Sequence, residues 1–187
     1  MKRILVISAK ARNGKDTLGE YLKGKLEEMG EVVVIDRFAK YIKGYLKDYY
    51  GWDGVTKDES TRSRLQILGT DLIKDKLNYK AFHAKRIAED IQINSDFIDT
   101  FIITDTRFRD EVYTLKAMFP NECICVRINR HNFESELTDE QKKHRSECDL
   151  DDFKFDYTID TYDNVLEELY SKGDILLEHL LRGDEVE

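Results

Sequence analysis

The sequence predicts an α/β protein with a doubly wound, five-stranded parallel sheet. Five short segments rich in β-branched residues are spread along the 187 residues, and longer segments with apolar residues at three- and four-residue steps lie between them. The strand segments are near-continuous apolar runs, as in strands that are buried on both faces of a parallel sheet. With one proline and no Gly- or Ser-rich linker, the chain is expected to form a single domain over residues 1–187.

The elements follow from these patterns in chain order. The first strand is predicted at Arg3–Ile7, and apolar residues then recur at helical steps from Leu18 to Met29, where Gly30 ends the helix. The other predicted strands are Glu31–Ile35, Phe101–Thr104, Cys123–Ile128 and Phe155–Ile159, and the other predicted helices are Phe38–Tyr50, Arg62–Leu77, Tyr79–Ile91, Glu111–Phe119 and Asn164–Leu181.

Two segments depart from the simple alternation of strands and helices. Residues 37–97, here called the insertion, place helices between the second and third strands and leave room for a substrate-binding subdomain. Residues 129–150, here called the excursion, are polar and charged. Within them, Thr138-Asp-Glu-Gln141 predicts a capping box that opens a short helix ending near His144-Arg145. The excursion is a candidate lid, with an ordinary surface insertion as the alternative; the remaining core is 1–36, 98–128 and 154–182.

The charge distribution excludes some classes of partner. The net charge is −8, with eleven Lys and Arg against seven Asp and Glu in residues 1–50, and three against fourteen in residues 147–187. Such a chain is a poor candidate for nucleic acid, which is bound by clustered positive charge, whereas a local positive pocket still suits a small anionic ligand. Apolar runs of about five residues predict no membrane span and no leader.

The three cysteines indicate a reducing compartment, and we expect a cytoplasmic protein. Cys123 and Cys125 alternate along a predicted strand, so their side chains are expected on opposite faces, which disfavours a metal site.

The segment from Ser8 to Thr17 directly follows the first apolar run and carries Gly14-Lys15-Asp16-Thr17. A buried strand, a loop ending in Gly-Lys-x-Thr and a helix form the arrangement that binds nucleotide phosphates. Against the pattern G-x-x-x-x-G-K-[ST], Ala9 replaces the first glycine and Asp16 replaces the metal-binding hydroxyl. A carboxylate there is a good Mg²⁺ ligand and also stabilises a helix N-terminus. The alternative is a turn capped by Asp16 that holds no ligand.

Charged residues also follow two other predicted strands. Asp105 and Arg107 come at the end of the third strand, where ligands bind in open α/β sheets, so Asp105 could hold Mg²⁺ and Arg107 could grip a phosphate. A capping aspartate with a surface arginine is the alternative. Asp36 and Arg37 end the second strand in the same way. Further cations suited to phosphoryl transfer, each of which could equally be a solvated surface charge, are Lys43, Arg62, Arg64, Lys74, Arg127, Arg130 and Arg145.

With these motifs in hand, the chain resembles the deoxynucleoside monophosphate kinase family best known from bacteriophages, which belongs to the P-loop kinases. The motifs that carry the resemblance occur in the family's order: Gly14-Lys15-Asp16-Thr17; Phe38-Ala39 with Lys43 and Tyr50-Gly51-Trp52-Asp53; Arg62-x-x-Leu65-Gln66-x-x-Gly69-Thr70-Asp71; Thr104-Asp105-Thr106-Arg107-Phe108 with Asp110-Glu111; and His144-Arg-Ser146-Glu147 followed by Phe155-Asp156-Tyr157-Thr-Ile159. The chain departs from the family at Ala9, Lys74, Phe82 and Asp110.

The resemblance implies a P-loop kinase fold and Mg²⁺-dependent transfer of the ATP γ-phosphoryl group to a deoxynucleoside 5′-monophosphate. Residues implied around ATP are Ala9, Lys10, Ala11, Arg12, Asn13, Gly14, Lys15, Asp16, Thr17, Arg127 and Arg130, with Asp16 and Asp105 as metal ligands. Residues implied around the acceptor are Asp36, Arg37, Phe38, Lys43, Arg62, Gln66, Thr70, Arg107 and Glu147. Lys15, Arg107 and Arg145 would act on the transferring group.

Two other functions stay open at this point. Animal-type phosphomevalonate kinases are similar in a Gly-Lys-Asp loop and a Ser/Thr-Asp-x-Arg strand end, although the Gln66–Thr70 stretch and His144–Glu147 favour the nucleotide kinase. A nucleotide-binding module without turnover is the second alternative. The expected partner is a small molecule, with neither nucleic acid nor membrane, and a homodimer is left open.

Overall fold

The computed structural model describes residues 2–56, 58–133, 137–162 and 166–182. Its five strands form one parallel sheet in the order β2-β3-β1-β4-β5: β1 Arg3–Ala9, β2 Val33–Asp36, β3 Thr100–Thr106, β4 Cys123–Arg130 and β5 Tyr157–Thr161. The helices are α1 Lys15–Glu28, α2 Lys40–Tyr50, α3 Glu59–Gln66, α4 Phe82–Ile93, α5 Arg109–Met118, α6 Asp139–Lys143, α7 Arg145–Cys148 and α8 Leu166–Arg182. The predicted fold class is confirmed.

Helices cover both faces of the sheet. Alternate residues of β1 point to opposite faces, so Leu5 and Ile7 pack in one layer with α1 and α8, whereas Ile4 and Val6 pack in the other with α4 and α5. All four are at most 1% exposed. The central strand is therefore buried from both sides, which explains why it reads as a continuous apolar run.

Cys123 and Cys125 lie in the same core layer. The expectation of opposite faces is wrong, because residues two apart on a strand share a face. Both are free thiols, and the described part of the chain contains no group of three or more Cys, His, Asp or Glu side chains that could hold a metal ion.

Side chains distant in sequence shift two predicted boundaries. α2 begins at Lys40 and not at Phe38, because the Asp105 carboxylate accepts hydrogen bonds from the backbone N–H groups of Phe38 and Ala39. β5 begins at Tyr157 and not at Phe155. Here Asp156 Oδ2 accepts from Cys125 N at 2.7 Å while Asp156 N donates to the Cys125 carbonyl at 3.0 Å, and the strand register begins with Tyr157 opposite Val126.

The predicted helix Arg62–Leu77 is in two parts. α3 ends at Gln66, and a π-helical segment, Ile67–Lys76, continues it. Gly69 in this segment packs closely on α2, since a Cβ placed there would lie 3.0 Å from Ile42 Cδ1. Its carbonyl accepts a hydrogen bond from His83 Nε2 at 3.2 Å. π-Helical stretches are rare and often mark functional positions.

The excursion forms two short helices. The predicted capping box is confirmed at α6, where Thr138 Oγ1 accepts from Gln141 N at 3.2 Å and the Gln141 side chain returns a bond to Thr138 N. That helix ends at Lys143, and His144 Nδ1 then caps α7 by accepting from Ser146 N. The predicted start of the last helix, Asn164, lies outside the described residues.

Gly19 brings α1 close to the sheet. A Cβ added there would lie 2.6 Å from Thr104 Cγ2, so Gly19→Ala is expected to lower the free energy of unfolding by about 1–3 kcal/mol through overpacking. Gly24 on the same helix is exposed, and an added Cβ would have nothing within 4 Å. Gly24→Ala should therefore raise the free energy of unfolding by about 0.5–1 kcal/mol. Urea unfolding of the pair tests this, and equal losses in both variants would contradict it.

His83 should make stability fall in mild acid. Burial lowers its pKa from 6.5 to about 4, opposed by the bond to the Gly69 carbonyl and aided by the Lys74 charge. Because that carbonyl can only accept, Nε2 carries the hydrogen, and Nδ1 is buried with no hydrogen-bond partner in the described ranges. Protonation would add an unmatched N–H donor. The unfolded chain therefore binds more protons as pH falls from 6.5 towards 4, and about 2 kcal/mol of stability should be lost by pH 5.

The measurement is urea unfolding between pH 7.5 and 5. His83→Gln keeps a donor for the Gly69 carbonyl but has no proton to take up, so its stability should fall less steeply than that of the wild type. His179→Gln, at an exposed position on α8, is the control and should retain the wild-type slope. An unchanged slope in His83→Gln would contradict the assignment.

No helix within the described ranges combines the length and apolar content that a bilayer span requires.

Candidate functional site

The loop after β1 has the backbone of a phosphate-binding loop. Arg12 and Gly14 have φ values of 62° and 85°, and the Gly14 carbonyl accepts from Leu18 N as α1 begins. Two features of this position favour glycine. Its positive φ disfavours any residue with a side chain, and an added Cβ would lie 3.0 Å from Leu169 Cδ2. Ala9 is the last residue of β1, pairs with Ile128 and keeps a negative φ. An alanine in place of the first glycine is therefore tolerated.

Asp16 lies at the centre of a polar cluster at the start of α1. Its Oδ1 accepts from Thr104 Oγ1 at 2.9 Å and from Arg37 Nη2 at 3.2 Å, and its Oδ2 lies 3.1 Å from Lys15 Nζ. Partial burial acts to raise its pKa, but the Lys15 charge and the hydrogen bonds from Thr104, Lys15 and Arg37 outweigh burial and lower it. This ionised carboxylate, 52% exposed, fits the ligand chemistry of Mg²⁺.

Asp105 occupies a different environment from Asp16. Burial raises its pKa, opposed by hydrogen bonds from Ala39 N and Phe38 N and by the charges of Lys43 and Arg107. Phe38 N lies 2.7 Å from Oδ1, and Ala39 N lies 3.0 Å from Oδ2. The contacts that this carboxylate makes tie the start of the insertion to the end of β3, and metal binding by Asp105 stays a prediction.

Asp36, at the end of β2, is also paired within its own turn, since its Oδ1 accepts from Arg37 N at 2.8 Å and its Oδ2 from Lys40 Nζ at 3.0 Å. Phe38 is buried in the core beside them. Asp105 therefore joins the end of β3 to the segment after β2, whereas Asp36 orders its own turn.

Two carboxylates, Glu147 in the excursion and Asp151 directly after it, meet cations at the loop. Glu147 Oε1 pairs with Arg107 Nη1, and Glu147 Oε2 accepts from Ala11 N at 3.4 Å. Asp151 pairs with Lys10 Nζ and lies 3.6 Å from Arg127 Nη2. The structure thus brings cations predicted from three parts of the sequence to one place, and it packs the excursion against the loop.

A pocket of about 230 Å³ lies on the β4–β5 side of the loop. It is lined by Arg12, Asn13, Gly14, Lys15, Asp16, Thr17, Arg130, Thr161, Leu166 and Leu169. Arg130 Nη1 donates to the Arg12 carbonyl at 3.3 Å, and its guanidinium stacks over the Phe133 ring. Arg127 does not line this pocket; its Nη1 donates to Ser8 Oγ at 2.9 Å. Of the two β4 arginines implied around ATP, Arg127 and Arg130, only Arg130 lines the pocket.

Other predicted site residues lie on the insertion and on the excursion. Arg62 and Gln66 are exposed on α3, whereas Thr70 is buried in the π-helical segment. Arg145 is directed to Asp75 and Asp149, at 3.4 Å each. The site roles of these residues stay predictions.

Sequence reasoning missed two contributors to the site, Thr104 and Asp151. The signal for Thr104 was its place beside Asp105, on a strand that adjoins β1. Asp151 lies in the acidic run Asp149–Asp152, which is indistinguishable from a solvated surface segment until the excursion is placed against the loop.

The sheet order, the loop after β1 and the helices on both faces define the fold of the P-loop kinases. Solved structures that share it include the APS kinase of Mycobacterium tuberculosis in complex with AMPPNP and APS, with a TM-score of 0.56, 12% identity, and 95% of this chain and 98% of that chain covered. A sugar kinase from a Janibacter species gives a TM-score of 0.54 and 12% identity, with 95% of each chain covered. Shikimate kinase from Bacteroides thetaiotaomicron gives 0.50 and 15% identity, with 95% and 98% covered.

These likenesses establish the fold of the chain. No protein-family model matches the sequence, and a search of curated proteins gave no match.

Proposed function

We propose that the chain is a Mg²⁺-dependent kinase that transfers the γ-phosphoryl group of ATP to a deoxynucleoside 5′-monophosphate, yielding the diphosphate and ADP. The observation that carries the proposal is the two-sided arrangement of groups about the loop. On the β4–β5 side lies the pocket with Arg130, and on the β3–β2 side lie Arg107 and Arg37. Asp16 lines the pocket and also pairs with Arg37. With the nucleoside of ATP on the first side and the acceptor on the second, the γ-phosphate and the acceptor phosphate would meet beside Lys15.

The donor half of the proposal rests on the loop. Its N–H groups and the N-terminus of α1 suit the β- and γ-phosphates, and Lys15 Nζ supplies a mobile positive charge beside them. Asp16 is the residue that would hold Mg²⁺, either directly or through water, and the ion would neutralise charge on the phosphates. The pocket at Arg130 and Thr161 would take the nucleoside part of ATP.

The acceptor half rests on Arg107 and on the motifs. The guanidinium of Arg107 pairs with Glu147 in this structure, and the acceptor phosphate would replace that carboxylate as a bidentate partner. An acceptor phosphate oxygen would form the new bond to the γ-phosphorus while the bond to the β–γ bridging oxygen breaks, and ADP would leave with that electron pair. No side chain needs to act as a general base, because the attacking oxygen is already ionised. The resemblance at Arg62–Asp71 and His144–Glu147 favours a deoxynucleotide as acceptor.

We place this activity in a reducing, ATP-rich compartment such as the cytoplasm, in keeping with the three free thiols of the described chain. A homodimer remains compatible with the proposal.

A coupled assay of ADP formation tests the proposal. The acceptor panel holds the deoxynucleoside monophosphates, their ribonucleotide counterparts, phosphomevalonate, shikimate and APS, each with ATP and Mg²⁺. Turnover that is fastest with a deoxynucleoside monophosphate supports the proposal. Turnover with phosphomevalonate alone would make the chain a kinase of another class, and nucleotide binding without turnover of any acceptor would favour a binding module.

A further inference from the structure

A fully buried ion pair joins the insertion to the start of α5. Lys74, on the π-helical segment, is 1% exposed, and its Nζ lies 3.1 Å from Glu111 Oε1. The same ammonium lies 3.4 Å from the centroid of the Phe108 ring. Glu111 is 3% exposed, so both charges are removed from water.

The second oxygen of Glu111 reaches the residue that would grip the acceptor. Glu111 Oε2 accepts from Arg107 N at 2.9 Å and from Phe108 N at 3.0 Å. One oxygen of the Glu111 carboxylate therefore pairs with the Lys74 ammonium, and the other accepts hydrogen bonds from the backbone of the turn between β3 and α5. This fixes the main chain from which the Arg107 side chain extends towards Glu147.

Stability alone gives little reason for such a pair. Desolvation of two charges offsets most of their attraction, and well-packed apolar residues of similar volume are often as stable. Loss of one partner, by contrast, leaves an uncompensated buried charge. The pair does something that an apolar contact would not do, since it holds two backbone N–H groups in a fixed direction beside the loop.

We propose that Lys74 is a positioning residue that acts through Glu111 to hold the backbone of Arg107, and with it the guanidinium that receives the acceptor phosphate. The inference rests on the proposed kinase function. The contact between Lys74 and Glu111, which are 37 positions apart in sequence, would link the insertion to Arg107.

The test compares Lys74→Met, Glu111→Leu and the double variant, because leucine leaves no side-chain oxygen to accept from Arg107 N and Phe108 N. If Lys74 acts through Glu111, each single variant raises the acceptor KM by about tenfold, the KM for ATP stays near the wild-type value, and the double variant is no worse than either single one. If Lys74 instead touches the acceptor directly, Glu111→Leu leaves the acceptor KM unchanged, and that result overturns the inference.

The double variant also separates positioning from stability. Each single variant leaves one buried charge unpaired and can fold poorly, whereas the double variant has neither charge and should unfold at a higher urea concentration than either single variant. Positioning predicts a raised acceptor KM in this stable double variant. A merely structural role predicts that KM recovers together with stability. Lys74→Arg, which keeps the cation, should retain an acceptor KM closer to the wild type than Lys74→Met does.

Hydrogen exchange gives a readout that does not need turnover. The amides of Arg107 and Phe108 should exchange about tenfold faster in the double variant than in the wild type, with the amides of β1 unchanged. Unchanged exchange at both amides overturns the inference. If the wild type phosphorylates no acceptor, the proposed function fails, while faster exchange in the double variant still supports the coupling from Lys74 to the turn.

Discussion

Lys15→Ala is expected to abolish measurable phosphoryl transfer, with kcat lowered by about 10³-fold, which corresponds to about 4 kcal/mol of transition-state stabilisation. Lys15 Nζ lies at the start of α1, 3.1 Å from Asp16 Oδ2, where it would meet charge that develops between the β- and γ-phosphates. The fold should survive, because the Asp16 partner is half exposed and such pairs contribute within about 1 kcal/mol to stability.

Steady-state kinetics with saturating ATP and Mg²⁺ give kcat, and urea unfolding gives the stability. Lys23→Ala is the control, since Lys23 lies on the same helix and makes an i,i+4 pair with Glu27 at 3.5 Å. That variant should retain wild-type turnover. Appreciable kinase activity in Lys15→Ala would refute the role assigned to Lys15.

Arg107→Ala is expected to raise the acceptor KM by about 10- to 100-fold and the KM for ATP by much less. A bidentate, charge-assisted contact with phosphate contributes about 1.5–3 kcal/mol, which matches this range. The variant also leaves the Glu147 carboxylate without its arginine partner and close to the incoming phosphate, so repulsion adds to the loss.

Initial rates with either substrate varied separate the two KM values. Arg107→Lys keeps the charge but not the planar fork, so it should lie between the wild type and Arg107→Ala. Arg182→Ala, which removes an exposed ion pair with Glu178 on α8, should leave both KM values unchanged. A larger effect on ATP than on the acceptor would move Arg107 to the donor side of the loop.

Most of the fold could be predicted from the sequence, because local patterns determine it. The apolar run of β1 is buried on both faces, and the Thr138 capping box forms as its spacing predicts. The π-helical segment could not be predicted, because the apolar spacing between Arg62 and Leu77 is also that of an α-helix. Gly69 makes its contacts with Ile42 and His83, which lie 27 and 14 positions away in sequence.

The site could be predicted at the carboxyl ends of the strands, where a parallel sheet gathers its loops. The pairing of charges at these strand ends could not be predicted, since it depends on how the excursion lies over the loop. Asp105 shows this most clearly. Its position at the end of β3 suits a metal ligand, yet both of its oxygens accept from backbone N–H groups of the insertion.

The contacts of Glu147 and Asp151 have a consequence for how ligand binding responds to salt. These carboxylates already supply counter-charge to Lys10, Arg107 and Arg127, so a phosphate that enters exchanges one anion for another. Added salt weakens the outgoing ion pairs as well as the incoming ones. Nucleotide affinity should therefore depend less steeply on ionic strength than the number of cations at the loop suggests, and the ligand-free protein should attract few adventitious anions.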